Sequence, residues 1–167
     1  EGARLTPEML AEVDLLAYDI QDIGSRYYTY LYTLSDAMAA CARAGVPVVV
    51  LDRPNPLGGS RAEGTLLRED FASAVGRFPL PARTGLTTGE FATFVNRRFR
   101  IGCELTVVRC GGWRRRCFFA GIGRSWLNPS PNMPSLTAAL LYNGTCLIEG
   151  TNISEGRGTT RPFELIG

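Results

Sequence analysis

Residues 15–52 constrain the fold more tightly than any other stretch. A short apolar run, LLAYDI (15–20), gives way to QDIGSR, and apolar side chains then return at Tyr27, Tyr30, Leu31, Leu34, Met38 and Cys41. Recurrence at three- and four-residue steps predicts a helix, and Gly45 supplies the left-handed residue that commonly ends one. VPVVVLD (46–52) follows as a second apolar run, with Pro47 near its start, where a strand tolerates it. Strand, helix and strand in succession make a βαβ unit, and near-continuous apolar strands of this kind read as parallel and buried on both faces.

The rest of the chain extends an α/β pattern. Residues 53–86 form a long excursion, with RPNPLGGS and FPLPARTG marking turns. TTGEFATFVNRRF (87–99) predicts a helix burying Phe91, Phe94 and Val95, and ELTVVRC (104–110) a further strand. GGWRRRCFFAGIGRSW reads as loop with a short strand, and LNPSPNMP (127–134) is too rich in proline for regular structure. SLTAALLY (135–142) predicts a short helix, and TCLIEG (145–150) one more strand. Two regions are expected, 1–86 and 87–167.

Composition narrows the function. With 167 residues and 45% hydrophobic content, the chain can bury a real core. A net charge of +2 makes no electrostatic case for nucleic acid or a membrane surface, and no apolar run is long enough to span a bilayer. Every one of the 18 basic residues is arginine, which fits codon bias in a GC-rich genome. Histidine is absent, which removes the commonest general base and metal ligand. The five cysteines show no CxxC spacing and read as buried fillers, so a zinc site is not expected.

In an open α/β sheet, ligands bind beyond the carboxyl ends of parallel strands. Three apolar runs end in polar clusters: Asp19-Ile20-Gln21-Asp22, Asp52-Arg53-Pro54-Asn55 and Glu149-Gly150-Thr151-Asn152. If all three runs were parallel strands, these clusters would share one edge, with 149–164 as a wall of the cleft. Each has a structural alternative. Asp22 and Arg26 could be a local ion pair at a helix start, and Asp52 could hold a turn. Thr87 and Glu90 match a capping box. Glu149, beside glycines, could be one of the two carboxyl groups a glycosidase needs, whereas Glu155 and Arg157 could be a mutually satisfied surface pair. Trp126 and Tyr28 are candidates for stacking on sugar faces. A dinucleotide site would need a glycine fingerprint that DIQDIGSR does not supply.

The motifs DIQDIGSRYYTYLYTL, LDRPNPLGG, GLTTGEFA, GGWRR, PSPNMPS and EGTNISEGRGTTRPFE, in this order, closely resemble those of the NamZ-like exo-β-N-acetylmuramidases. The resemblance implies a glycoside hydrolase that removes N-acetylmuramic acid from the non-reducing end of peptidoglycan fragments in cell-wall recycling. It implies a Rossmann-like, mostly parallel sheet with flanking helices, plus part of a smaller ancillary domain, the site lying in the cleft between them. Carried onto this sequence, the cleft residues are Gln21, Asp22, Arg26, Asp52, Arg53, Asn55, Asn132, Glu149, Asn152 and Arg157, with Glu149 or Asp22 expected to contribute a catalytic carboxyl from within this chain. An arginine suits the lactyl carboxylate of muramic acid, which a guanidinium fork can hold. The partners implied are muramic-acid-containing saccharides, and the resemblance implies no metal or nucleotide cofactor. The location implied is the cell envelope or exterior if a leader is present, and the cytoplasm if not.

One departure stands out. Family members carry an upstream Glu-His-Gly motif, whose Glu is a leading candidate for the catalytic acid, and a chain without histidine lacks it. The expectation is a fragment, inactive by itself, of an active enzyme. The competing expectation is a non-catalytic sugar-binding module.

Overall fold

The structure is a computed structural model and describes residues 5–167. A short helix, α1 (Pro7–Leu10), precedes a parallel three-stranded sheet of β1 (Leu16–Tyr18), β2 (Val48–Leu51) and β3 (Leu105–Val108), in the order β1-β2-β3. Val48 pairs with Leu16 on one side and Leu105 on the other, and Val50 with Tyr18 and Val107. The crossovers carry α2 (Tyr30–Ala44) and α3 (Thr88–Arg98), and α4 (Leu136–Thr145) follows the sheet.

A strand order that advances in one direction through right-handed crossovers puts both helices on the same face. Accordingly α2 and α3 pack together and cover Tyr18, Val48 and Val50. The opposite face carries Ala17, Val49, Leu51, Thr106 and Val108, of which Val49 is half-buried and the others are exposed. The expectation of burial on both faces is therefore corrected: the crossover helices bury one face, and the other is largely exposed within residues 5–167.

Helix α2 starts at Tyr30 rather than Tyr27, since the backbone before it is committed elsewhere. Arg26 N–H donates to Ala82 O at 2.8 Å and Thr84 N–H to Gly24 O at 3.0 Å, so residues 24–26 pair with the excursion instead of entering the helix. Gly45, at φ 72°, ends α2 as expected. The capping box at the start of α3 is present, with Thr87 Oγ1 accepting from Glu90 N–H and Glu90 accepting from Thr87 N–H.

Two further expectations are corrected. Residues 145–150 are not a strand: Cys146–Gly150 is a 3₁₀ turn that continues α4. Ala138, Tyr142 and Cys146 lie four apart and are all buried, so TCLI completes a helical stripe while Leu147 is left exposed. Residues 111–126 hold a single 3₁₀ turn, Phe119–Ile122, and no strand. The larger core cluster runs from Leu10 to Cys103; the smaller gathers Ile23, Tyr28, Met133, α4 and Phe163.

Candidate active-site cleft

The strands end at Tyr18, Leu51 and Val108, and the residues just beyond them line a cavity of about 1130 Å³. Asp19, Gln21, Asp52, Arg53 and Trp126 stand on it. The third cluster on this edge is Arg109-Cys110 from β3, not Glu149–Asn152, because 145–150 is helical. The wall opposite the strand ends is the loop from Gly111 to Leu127.

Several of these polar groups are engaged by the fold itself. Arg53 Nε lies 2.6 Å from Asp19 Oδ1 in an exposed pair. Asp52 accepts from Thr87 Oγ1 and Gly89 N–H, both at 2.8 Å, and so ties the end of β2 to the first turn of α3. Gln21 donates to Pro54 O at 3.0 Å, and Trp126 Nε1 to Met133 O at 3.0 Å. Asn55 is buried; it accepts from Leu57 N–H at 2.9 Å and donates to Leu86 O at 2.8 Å. A Cβ at Gly24, which has φ +80°, would overlap the Asn55 amide, so this turn requires glycine.

Arg26 is buried too. Its guanidinium donates to Thr65 O at 2.8 Å and Leu80 O at 2.5 Å, stapling the 53–86 excursion to the start of α2. Replacing it with alanine removes charge-assisted bonds to two carbonyls, the one at Leu80 buried, and with them the tie between the two segments, an expected loss of about 3 kcal/mol. Denaturant unfolding reads this directly, and an unchanged midpoint would remove Arg26 from the scaffold.

A second group forms around Tyr142 of α4. Asp22 is fully buried; its Oδ2 accepts from Gly24 N–H at 2.7 Å, while Oδ1 has no partner among the described residues. Burial pushes its carboxyl up to about 7, against the pull of the Gly24 and Ile23 amides. Tyr28 packs edge-on to Tyr30 and Tyr142, with ring centroids 4.6 and 5.9 Å apart, and is too buried to offer a face for sugar stacking.

The loop 149–164 brings Glu149, Glu155 and Arg157 together. Arg157 Nη2 donates to Glu149 Oε1 at 2.7 Å, its Nε lies 2.7 Å from Glu155 Oε1 at an angle too poor for a hydrogen bond, and its Cζ sits 5.0 Å from the centre of the Phe163 ring. The Glu155–Arg157 pair is not a surface one, because Glu155 is buried. Burial raises the Tyr142 phenol, and the Cys146 thiol, Glu149 and Asp22 add to the shift. Asp22 and Glu149, far apart in sequence, thus act on one phenol. Asn132, half-buried in a turn, and Asn152, exposed on the loop, make no side-chain hydrogen bond recorded within 5–167.

The sequence reading missed Tyr142, which the helical stripe through Ala138 and Cys146 could have revealed. It also left the WRRR run, residues 113–116, as unassigned loop. Among the described residues no cluster of His, Cys, Asp or Glu could hold a metal ion, and no helix is long and apolar enough to cross a membrane.

Comparison with known proteins fits this geometry. The chain is 52% identical over 162 residues to the peptidoglycan beta-N-acetylmuramidase NamZ of Bacillus subtilis (strain 168), a match covering 97% of this chain and 39% of that protein. Two crystal structures of DUF1343 family proteins from Bacteroides fragilis NCTC 9343 superpose on it with TM-scores of 0.89 and 0.90, at 40% and 38% identity. They cover 96% and 99% of this chain, which in turn spans 43% and 46% of theirs. The three-stranded α/β core with its flanking helices is thus a shared one. Residues 1–137 match the N-terminal model of exo-beta-N-acetylmuramidase NamZ and residues 140–167 its C-terminal model, so the chain belongs to the NamZ family.

Proposed function

We propose that the protein carrying this chain is a glycoside hydrolase that releases N-acetylmuramic acid from the non-reducing end of peptidoglycan fragments, in the cell envelope or outside the cell. The observation that carries the reading is that Asp22 and Glu149, in contrasting environments, both bear on the phenol of Tyr142, whose ring packs against Tyr28 and Phe163. Glycosidic cleavage needs one carboxyl that holds its proton near neutral pH and a second carboxylate close by. Asp22, buried and pushed up to about 7, suits the first role. Glu149, half-exposed against Arg157, suits the second. Arg53, Gln21 and Trp126 on the cavity beyond the strand ends are the substrate-side residues in this reading, with Asn55 and Arg26 bracing the 53–86 excursion.

The test is release of free N-acetylmuramic acid from a chromogenic β-N-acetylmuramide by the full-length protein. Turnover there, and none from residues 1–167 alone, is the expected result. Binding of the sugar without turnover by the full-length protein would replace the hydrolase with a sugar-binding module.

A further inference from the structure

Eight exposed arginines have no carboxylate partner among the described residues: Arg43, Arg97, Arg98, Arg100, Arg109, Arg114, Arg116 and Arg124. The first four sit at or just past the C-terminal ends of α2 and α3, where the helix dipole favours a cation. The other four have no such explanation, and all four line the cavity beyond the strand ends.

The acids on that cavity do not balance them. Asp19 is paired with Arg53, and Asp52 is taken up by Thr87 and the Gly89 amide. Arg114, Arg116 and Arg124 all stand on the 111–127 wall of the cavity, and Arg109 stands on it just past the end of β3. The same wall carries Trp113, whose indole N–H is buried without an acceptor, and Trp126. Unpaired guanidinium groups beside aromatic rings suit a sugar that carries an anion.

We propose that Arg109, Arg114, Arg116 and Arg124 form an anion subsite that holds the lactyl carboxylate of muramic acid and so selects it over N-acetylglucosamine. The inference rests on the hydrolase reading above for its substrate, but not on which carboxyl group performs the chemistry. Arg157 is less suited to this task than its position suggests, since two carboxylates already flank its single charge.

The experiment uses the full-length protein and three chromogenic substrates: β-N-acetylmuramide, its lactyl carboxamide, and β-N-acetylglucosaminide. In Arg114→Gln/Arg116→Gln, and in Arg109→Gln and Arg124→Gln, kcat/KM for the acid is expected to fall by about 10–100-fold, the worth of charge-assisted contacts. Turnover of the carboxamide is expected to stay within about twofold, which also shows that the variants fold. Added salt is expected to raise KM for the acid in the wild type and to do so less in the variants. Equal losses on acid and carboxamide, or no loss on either, would overturn the subsite. Inhibition by inorganic phosphate that lactate does not reproduce would reassign it to a phosphorylated ligand and overturn the carboxylate assignment. If the wild type turns over none of the three, the hydrolase reading fails separately. Calorimetry with free N-acetylmuramic acid and its carboxamide then decides the subsite, equal affinities overturning it.

Discussion

Changing Glu149 to glutamine in the full-length protein is expected to cut turnover of a chromogenic β-N-acetylmuramide by about 10²–10⁴-fold, the range a positioned acid or base contributes. Its unfolding transition should move by no more than about 1 kcal/mol, because Glu149 and Arg157 form a largely exposed ion pair and such pairs stabilise little. The two readouts separate the possibilities. A folded, inactive variant places Glu149 in the chemistry. Unchanged turnover reduces it to a tether for Arg157. Arg157→Lys sharpens the comparison, since lysine keeps the charge but cannot reach both Glu149 and Glu155 with a fixed fork. A large effect of Arg157→Lys beside a silent Glu149→Gln would shift attention to Glu155, which is buried under the same loop.

The βαβ unit was legible because its signals are local. Valine-rich runs, a helical stripe and Gly45 each report on neighbours within a few residues, and β1, α2 and β2 fall within the stretches those signals mark, with only the start of α2 displaced to Tyr30. The capping box at Thr87 was legible for the same reason. The failures came where long-range geometry decides. TCLIEG has strand composition, yet Cys146 continues the buried stripe of Ala138 and Tyr142, and tertiary burial overrode propensity. That error moved a whole cluster: the cavity's third wall comes from β3 and the WRRR loop, not from residue 149 onward.

Arg26 shows a subtler limit. Its spacing from Asp22 suggested an ion pair or a ligand contact, whereas its partners are carbonyls at residues 65 and 80, which no local pattern could supply. The cluster at 149–164 holds together for a reason spacing does not show. Ser154 and Gly167 exchange backbone hydrogen bonds at 2.8 and 3.1 Å, and Phe163 N–H donates to Glu155 O at 2.6 Å, so the loop closes on itself and presents Glu149 and Arg157.

Asp22 gives a prediction whose sign follows from its burial. Its carboxyl is ordinarily near 3.8 and is pushed up to about 7 in the fold. Between those values the folded state holds a proton that the unfolded state has released, so stability falls as pH rises through that window and levels off above it. The full swing is up to about 4 kcal/mol, at about 1.4 kcal/mol per pH unit. This chain has no histidine, so no imidazole within it masks the effect between pH 5 and 8. The groups facing Asp22 are the phenols of Tyr18 on β1, Tyr28 before α2, Tyr32 on α2 and Tyr142 on α4, all raised by burial and therefore neutral across the window; Arg26 also lies near Tyr32. Asp22→Asn keeps an oxygen for the Gly24 amide but cannot ionise. The expected result, read as the difference between wild type and variant in denaturant unfolding at pH 5, 6, 7 and 8, is that the wild type loses stability relative to the variant as pH rises. Parallel curves would mean that Asp22 titrates normally and has no stored proton to give. Activity then completes the argument: a carboxyl that keeps its proton to about 7 and donates it to a leaving group should give a kcat/KM that falls on the alkaline side of that value, and Asp22→Asn should lose both the activity and the limb. An alkaline limb that survives the substitution would assign the donated proton to another group and leave Asp22 as a buried brace for the turn at Gly24.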